Sequence, residues 1–275
     1  TVYNMGTQTQ HDTLYKWNGK EAPCKSKEGM GFTVDAEKNN SNDVRILLTA
    51  EDNAGNVTSM EYSIKIDITK PIINIEYDNN AADSGTFFRE SRRANVTVKE
   101  RNFDDSLVNI TLRATDDGAD IALPTVSGWT SSGDRHTATI AYQRDGLYTF
   151  DIDVTDKAGN TSADFTEQTF YVDTTAPTLE ITGVADRSAN NGDIIPVVSY
   201  SDTNYDDAQV SITLTGAMRK GVALDGSYAD QHNGKVFTFK NFAKEKEVDD
   251  IYTLAATLTD KAGNTTEKTI LFSAN

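Results

Sequence analysis

The chain is short of several things, and each shortage excludes something. It has one cysteine, Cys24, so no intrachain disulfide can staple the fold. No histidine-containing motif surrounds Cys24, which therefore reads as a bland unpaired thiol rather than a nucleophile. His11, His136 and His232 stand in dissimilar contexts without metal-ligand spacing. No apolar run approaches the roughly 20 residues of a membrane span. Cations are also scarce: 26 Lys and Arg against 42 Asp and Glu leave a net charge of −16. That balance argues against nucleic acid, whose phosphates need a basic surface, and against docking on anionic lipid. Among so many acids no isolated pair stands out as a glycosidase dyad would. The Asn-x-Ser/Thr triplets at Asn56, Asn95, Asn109, Asn160 and Asn264 read as accidents of Thr-rich strands. The chain is expected to be non-enzymatic. No signal peptide opens it, and we read it as an interior piece of a longer protein whose secretion and anchoring signals lie elsewhere.

What the chain does have, it has three times. Asp52-Asn53-Ala54-Gly55-Asn56, Asp156-Lys157-Ala158-Gly159-Asn160 and Asp260-Lys261-Ala262-Gly263-Asn264 share the pattern Asp-x-Ala-Gly-Asn. Each of these asparagines lies 104 residues from the next, which is one domain length. Two further strings repeat in the same order. Asn102-Phe103-Asp104-Asp105 matches Asn204-Tyr205-Asp206-Asp207, and Asp67-Ile68-Thr69-Lys70-Pro71 matches Asp173-Thr174-Thr175-Ala176-Pro177. The expected units are 1–70, 71–175 and 176–275. The counterparts of the first strands of unit one would fall before Thr1, so that unit is expected to be truncated or shortened.

Within the units the apolar residues alternate. Tyr148, Phe150, Ile152 and Val154 alternate with polar residues, as do Tyr252, Leu254, Ala256 and Leu258, and Val44, Ile46, Leu48 and Ala50. A period of two buries one face of a strand. Val96 and Val98, then Val108, Ile110 and Leu112, mark earlier strands, matched by Val198 and Tyr200, then Val210, Ile212 and Leu214. About seven short strands in about 100 residues, without helical period, predict a β-sandwich. Gly and Asn tolerate positive φ, so Ala-Gly-Asn suits a hairpin turn. Trp129 and Tyr228 are expected to anchor the sheets. Tyr148 and Tyr252 are expected to form corners, their hydroxyls bonded to nearby backbone. Unit one carries Val44 at that place and should lack the corner.

The Asp-x-Ala-Gly-Asn turn, the Val172-to-Pro177 linker and the Asp145-Gly146-Leu147-Tyr148 corner together resemble the bacterial Ig-like tandem repeats of large surface proteins and adhesins. The likeness covers units two and three and the last third of unit one. It implies an all-β fold, tandem immunoglobulin-like β-sandwich domains arranged end to end. It also implies a place outside the cell, on a bacterial surface or secreted, as a stalk or an adhesive region. Partners would be the neighbouring domains of the same chain and a surface ligand, glycan or protein. Two alternatives stand beside this. One is a ligand-binding module, for which the aromatics Tyr3, Tyr15 and Trp17 of unit one speak. The other is an accessory region of a secreted polysaccharide-degrading enzyme. Some Gram-positive surface sandwiches carry a Lys–Asn isopeptide crosslink, and an intact mass short by one ammonia would reveal one here.

Two oxygen-rich constellations are candidate Ca²⁺ ligands. The first is Glu100, Asn102, Asp104 and Asp105 in unit two, with Asp202, Asn204, Asp206 and Asp207 in unit three. Alternating Asp and Asn oxygens suit a hard cation, although the Gly and distal Glu of an EF-hand loop are missing. The same residues are ordinary in turns and N-caps. The second lies at the junctions, where Asp67 and Asp173 precede the linker prolines and Asp52 and Asp156 occupy turns at the same end. The resemblance implies that Ca²⁺ at such junctions stiffens the rod; solvated acidic linkers are the competing reading.

Overall fold

The computed structural model describes residues 2–4, 9–10, 34–51, 54–82, 85–191, 193–243 and 249–275. Their regular structure is β throughout, apart from a 3-10 turn at Asp105–Leu107.

In unit two the chain builds two sheets. One orders Thr125–Val126, Arg135–Tyr142, Arg92–Lys99 and Ile72–Tyr77; the other orders Phe87–Phe88, Gln168–Val172, Gly146–Val154, Val108–Asp116 and Ala119–Asp120. Unit three repeats the plan. Thr178–Thr182, Val197–Ser201, Gly234–Phe239 and Gly226–Gln231 form one sheet, and Ser188–Asn190, Thr265–Ala274, Asp250–Asp260 and Tyr205–Gly216 the other. The alternation seen in sequence decides what lies between the sheets. Tyr148, Phe150, Ile152 and Val154 are buried against Val96, Val98 and Ile140, while Leu254 and Leu258 meet Val198, Phe237 and Phe272 in the second core. Each such side chain stabilises its sandwich by about 1.5–3 kcal/mol relative to exposure.

Among the described residues unit one forms a four-stranded antiparallel sheet, ordered Thr9–Gln10, Val2–Asn4, Ser41–Glu51 and Val57–Ile66. Ile46 lies opposite Tyr62 and Leu48 opposite Met60. Val44 and Ile46 are buried with Val34, Ile64 and Ile66 around them, whereas Leu48, Met60 and Tyr62 are exposed. Cys24, His11, Asp52, Tyr15 and Trp17 lie outside the described residues, and so does the side chain of Tyr3.

The turn glycines behave as their sequence requires. Gly55, Gly159 and Gly263 have φ of 84°, 89° and 89°. The turn closes continuous hairpins in units one and three, with Glu51 paired to Val57 and Thr259 to Thr265. In unit two a single bridge, Thr155 to Thr161, follows the turn, and the next strand starts at Gln168. Tyr148 donates its hydroxyl to the Arg144 carbonyl at 2.7 Å, as expected. Tyr252 is equally buried and the Arg219 side chain bonds its hydroxyl, while the backbone four residues upstream, where a corner would close, lies outside the described residues. The anchors differ. Trp129 packs on Phe103 with ring centroids 5.1 Å apart and joins the core of unit two. Tyr228 is exposed on its strand, its ring tilted against Phe237 with centroids 4.7 Å apart, so it anchors no sheets.

Candidate cation site at the unit junctions

Each linker begins with an aspartate whose side chain caps the turn before the proline. Asp67 Oδ1 accepts from the Thr69 amide at 3.0 Å, and Asp173 Oδ1 accepts from the Thr175 amide at 3.2 Å. Their other oxygens accept from asparagine amides of the next unit: Asn102 reaches Asp67, and Asn204 reaches Asp173 at 2.8 Å. These asparagines are held in turn. The Asn102 amide donates to Glu100 Oε1 at 2.8 Å, and the Asn204 amide to Asp202 Oδ1 at 2.6 Å. Their carbonyls accept from Lys157 at 3.1 Å and from Lys261 at 3.0 Å.

Those lysines belong to the repeated turn, which thereby does more than reverse the chain. Asn160 Nδ2 donates to Asp156 Oδ2 at 2.7 Å and also to the Asp67 carbonyl at 3.1 Å. Asn264 Nδ2 does the same toward Asp260 Oδ2 at 2.9 Å and the Asp173 carbonyl at 2.8 Å. The turn asparagine therefore clasps the linker that enters its own sandwich, from 93 and 91 residues away. A hydrogen bond from a buried amide contributes about 1 kcal/mol, and losing one partner costs more than that.

The clasp draws carboxylates together. One oxygen of each of Asp67, Glu100 and Asp156 lies within 4.8 Å of the other two, and the same holds for Asp173, Asp202 and Asp260. Glu100, Asp156, Asp173 and Asp260 are buried. Burial pushes Asp173 up to about 6, and the charges of Asp202 and Asp260 add to this against the Asn204 hydrogen bond. Burial and the Asp260 charge raise Asp202; burial, Asp67 and Asp156 raise Glu100. Asp67 goes the other way: burial opposes its ionisation, but the Thr69 and Asn102 hydrogen bonds and the Arg101 guanidinium at 2.8 Å outweigh it. Three convergent hard oxygens in a half-dry setting suit a cation of the Ca²⁺ type.

Sequence reasoning placed Asp67, Asp173, Glu100 and Asp202 in two separate constellations, and the fold merges them. Asn102 and Asn204 orient the linker carboxylates through their amides. The remaining four residues are used locally. Asp104 caps the 3-10 turn through Ser106 and pairs with Lys157 at 3.8 Å, and Asp105 lies within that turn. Asp206 accepts from the Ala208 amide, and Asp207 pairs with Lys235 at 2.5 Å. Asp156 and Asp260, which sequence reasoning treated as turn residues or passed over, supply the third carboxylate of each cluster. Their signal was present in the threefold motif itself. Of the histidines, His136 is buried, its Nε2 donating to the Glu100 carbonyl at 2.7 Å and its Nδ1 accepting from Ser131 at 2.7 Å. His232 is exposed and meets Asp117 at 2.7 Å.

Residues 134–274 match the profile of the bacterial Ig-like domain (group 3) family. The chain belongs to this family. The two-sheet topology of units two and three is that of an Ig-like β-sandwich repeated in tandem. No curated protein matches the sequence. Among solved structures, a tandem pair of titin Ig domains is 12% identical, covering 75% of this chain and 99% of that one with a TM-score of 0.32. The adhesin InvE of Yersinia pseudotuberculosis is 14% identical, covering 73% of this chain and 58% of its own, at a TM-score of 0.34. A protocadherin gammaB7 cis-dimer structure is 15% identical, covering 88% and 60%, at a TM-score of 0.33. Among the described residues no helix is long and apolar enough to cross a membrane.

Proposed function

We propose that this bacterial Ig-like segment is a non-catalytic spacer of a cell-surface protein, with units at 1–70, 71–175 and 176–275 clasped in series. Hard divalent cations, of which Ca²⁺ is the natural choice, would sit at its junctions on Asp67, Glu100 and Asp156 and on Asp173, Asp202 and Asp260. One observation carries the reading: the repeated turn asparagine bonds the incoming linker carbonyl at both junctions, Asn160 to Asp67 and Asn264 to Asp173. A motif kept for turning alone needs only its glycine and a small neighbour. One that also holds the preceding linker limits bending between units, which is what a spacer requires. The linkers support this, since proline restricts both itself and the residue before it and no Gly/Ser slack is present. Three units in series would reach on the order of 100 Å, at about 3.3 Å per strand residue.

Small-angle scattering of the whole chain, with Ca²⁺ and then with chelator, tests the reading. An extended profile that loosens on chelation is expected. A compact profile in both conditions overturns the spacer; an extended profile indifferent to chelator removes the cation from it.

A further inference from the structure

The two junctions share their hydrogen bonds but not their charges. Glu100-Arg101-Asn102 of the first aligns with Asp202-Thr203-Asn204 of the second, so a cation stands at the first where the second has a threonine. Arg101 Nη2 donates to Asp67 Oδ1 at 2.8 Å, to the Ile66 carbonyl at 3.0 Å and to Asn40 Oδ1; Nη1 reaches the Asn40 carbonyl at 3.4 Å. The guanidinium thus ties the end of unit one onto unit two. Among the described residues, no ion pair reaches Asp173, Asp202 or Asp260.

Arg101 does not complete its own site. Glu100 is buried at 2% exposure, and while Oε1 takes the Asn102 amide, Oε2 has no hydrogen-bond partner. A buried carboxylate oxygen left without a partner is costly, and native folds rarely keep one unless something binds there. Three carboxylates and one guanidinium leave two negative charges. The orphaned oxygen and this residual charge both point to a divalent cation seated on Glu100, Asp67 and Asp156.

We propose that Arg101 is a tethered counter-charge that sets the cation affinity of this first junction. It occupies one oxygen of Asp67 and repels an incoming divalent ion, so the site binds that ion more weakly than its carboxylates alone would. It also holds Asp67 when the ion is stripped, so the first junction stays clasped in chelator. This rests on the cation reading above and is tested so that the two can fail separately.

The whole chain is titrated with Ca²⁺ by calorimetry as wild type, Glu100→Gln, Arg101→Thr and Arg101→Lys, each checked by thermal unfolding in chelator. The binding component lost in Glu100→Gln is that of the first junction. Arg101→Thr should tighten this component by about ten-fold, the scale expected when a charge a few ångströms from a divalent ion is removed. Arg101→Lys, which keeps the charge without the fork, should stay within about three-fold of wild type. In chelator the Arg101→Thr chain should melt below wild type. A Glu100-dependent component unchanged by Arg101→Thr overturns the role of Arg101 and leaves the cation standing. The absence of any Glu100-dependent component, in wild type and in Arg101→Thr alike, overturns both.

Discussion

Asp67 and Asp173 occupy the same place in two copies of one design, and their surroundings pull them in opposite directions. Each caps its linker turn, takes an asparagine amide from the next unit and offers its carbonyl to a turn asparagine. Asp67 faces Arg101 and is held ionised below the usual carboxylate range; Asp173 faces Asp202 and Asp260 and is pushed up to about 6. The backbone geometry that places the hydrogen bonds comes from the turn motif and the linker, which repeat. The charge comes from one side chain at a position those bonds do not constrain. A junction can therefore keep its shape while its electrostatics change.

The largest expected contrast comes from neutralising the two aspartates. Asp67→Asn removes the charge that faces Arg101 and should destabilise the chelated chain by about 2–4 kcal/mol, less than breaking a wholly buried pair because Arg101 is partly exposed and keeps its Ile66 and Asn40 acceptors. Asp173→Asn keeps an acceptor and relieves repulsion, so it should cost less than about 1 kcal/mol or stabilise. Calorimetric melting of both variants in chelator measures this, and equal costs would break the comparison. Next, Asn160→Ala and Asn264→Ala should each cost about 1–3 kcal/mol, since both leave a linker carbonyl and an aspartate oxygen without a donor. Here similarity is the expectation, and a large difference would show that the clasp is not shared. Gly159→Ala, with open space around it, and Gly263→Ala, at the same positive φ, should each cost about 1 kcal/mol by denaturant unfolding.

The smallest contrast lies at the other end of the sandwiches and depends on pH. Asp250 stands where unit two has Gly146, and its carboxylate accepts from the Met218, Arg219 and Ile251 amides. Burial opposes its ionisation, but those amides hold it below the ordinary carboxylate value of 3.8. A depressed folded value stabilises above the unfolded one and is lost as pH falls through the folded one. Unit three should therefore lose stability below about pH 4 through a group unit two lacks. Asp250→Asn should flatten that part of the acid melting curve; an unchanged acid slope would count against the assignment.

Much of this was legible in the residues. The buried faces of Gly146–Val154 and Asp250–Asp260 follow the alternation of their side chains, and the positive φ at Gly55, Gly159 and Gly263 follows from the motif. Tyr148 formed its corner as expected. At Tyr252 the loop after Gly216 brings Arg219 to the hydroxyl. Tyr228 shares the face of Phe237, but on an edge strand it stays exposed. At the junctions Asp67, Asp173, Glu100 and Asp202 stood out as oxygen donors. So did Asp104, Asp105, Asp206 and Asp207, because a ligand loop and a capped turn draw on the same residue types.

By itself the sequence determined the strands, their inward faces, the repeat and the conformation of the turns. All of these depend on residues within a few positions of one another, where sterics and side-chain alternation act without reference to the rest of the chain. Only the tertiary structure decided which carboxylates meet, that the turn asparagine holds a linker 93 or 91 residues away, and that Arg101 lies on one junction while, among the described residues, no cation pairs with the carboxylates of the other. Those contacts exist because two packed sandwiches bring a strand end, a hairpin and a linker to one place, and a local pattern carries no measure of that distance.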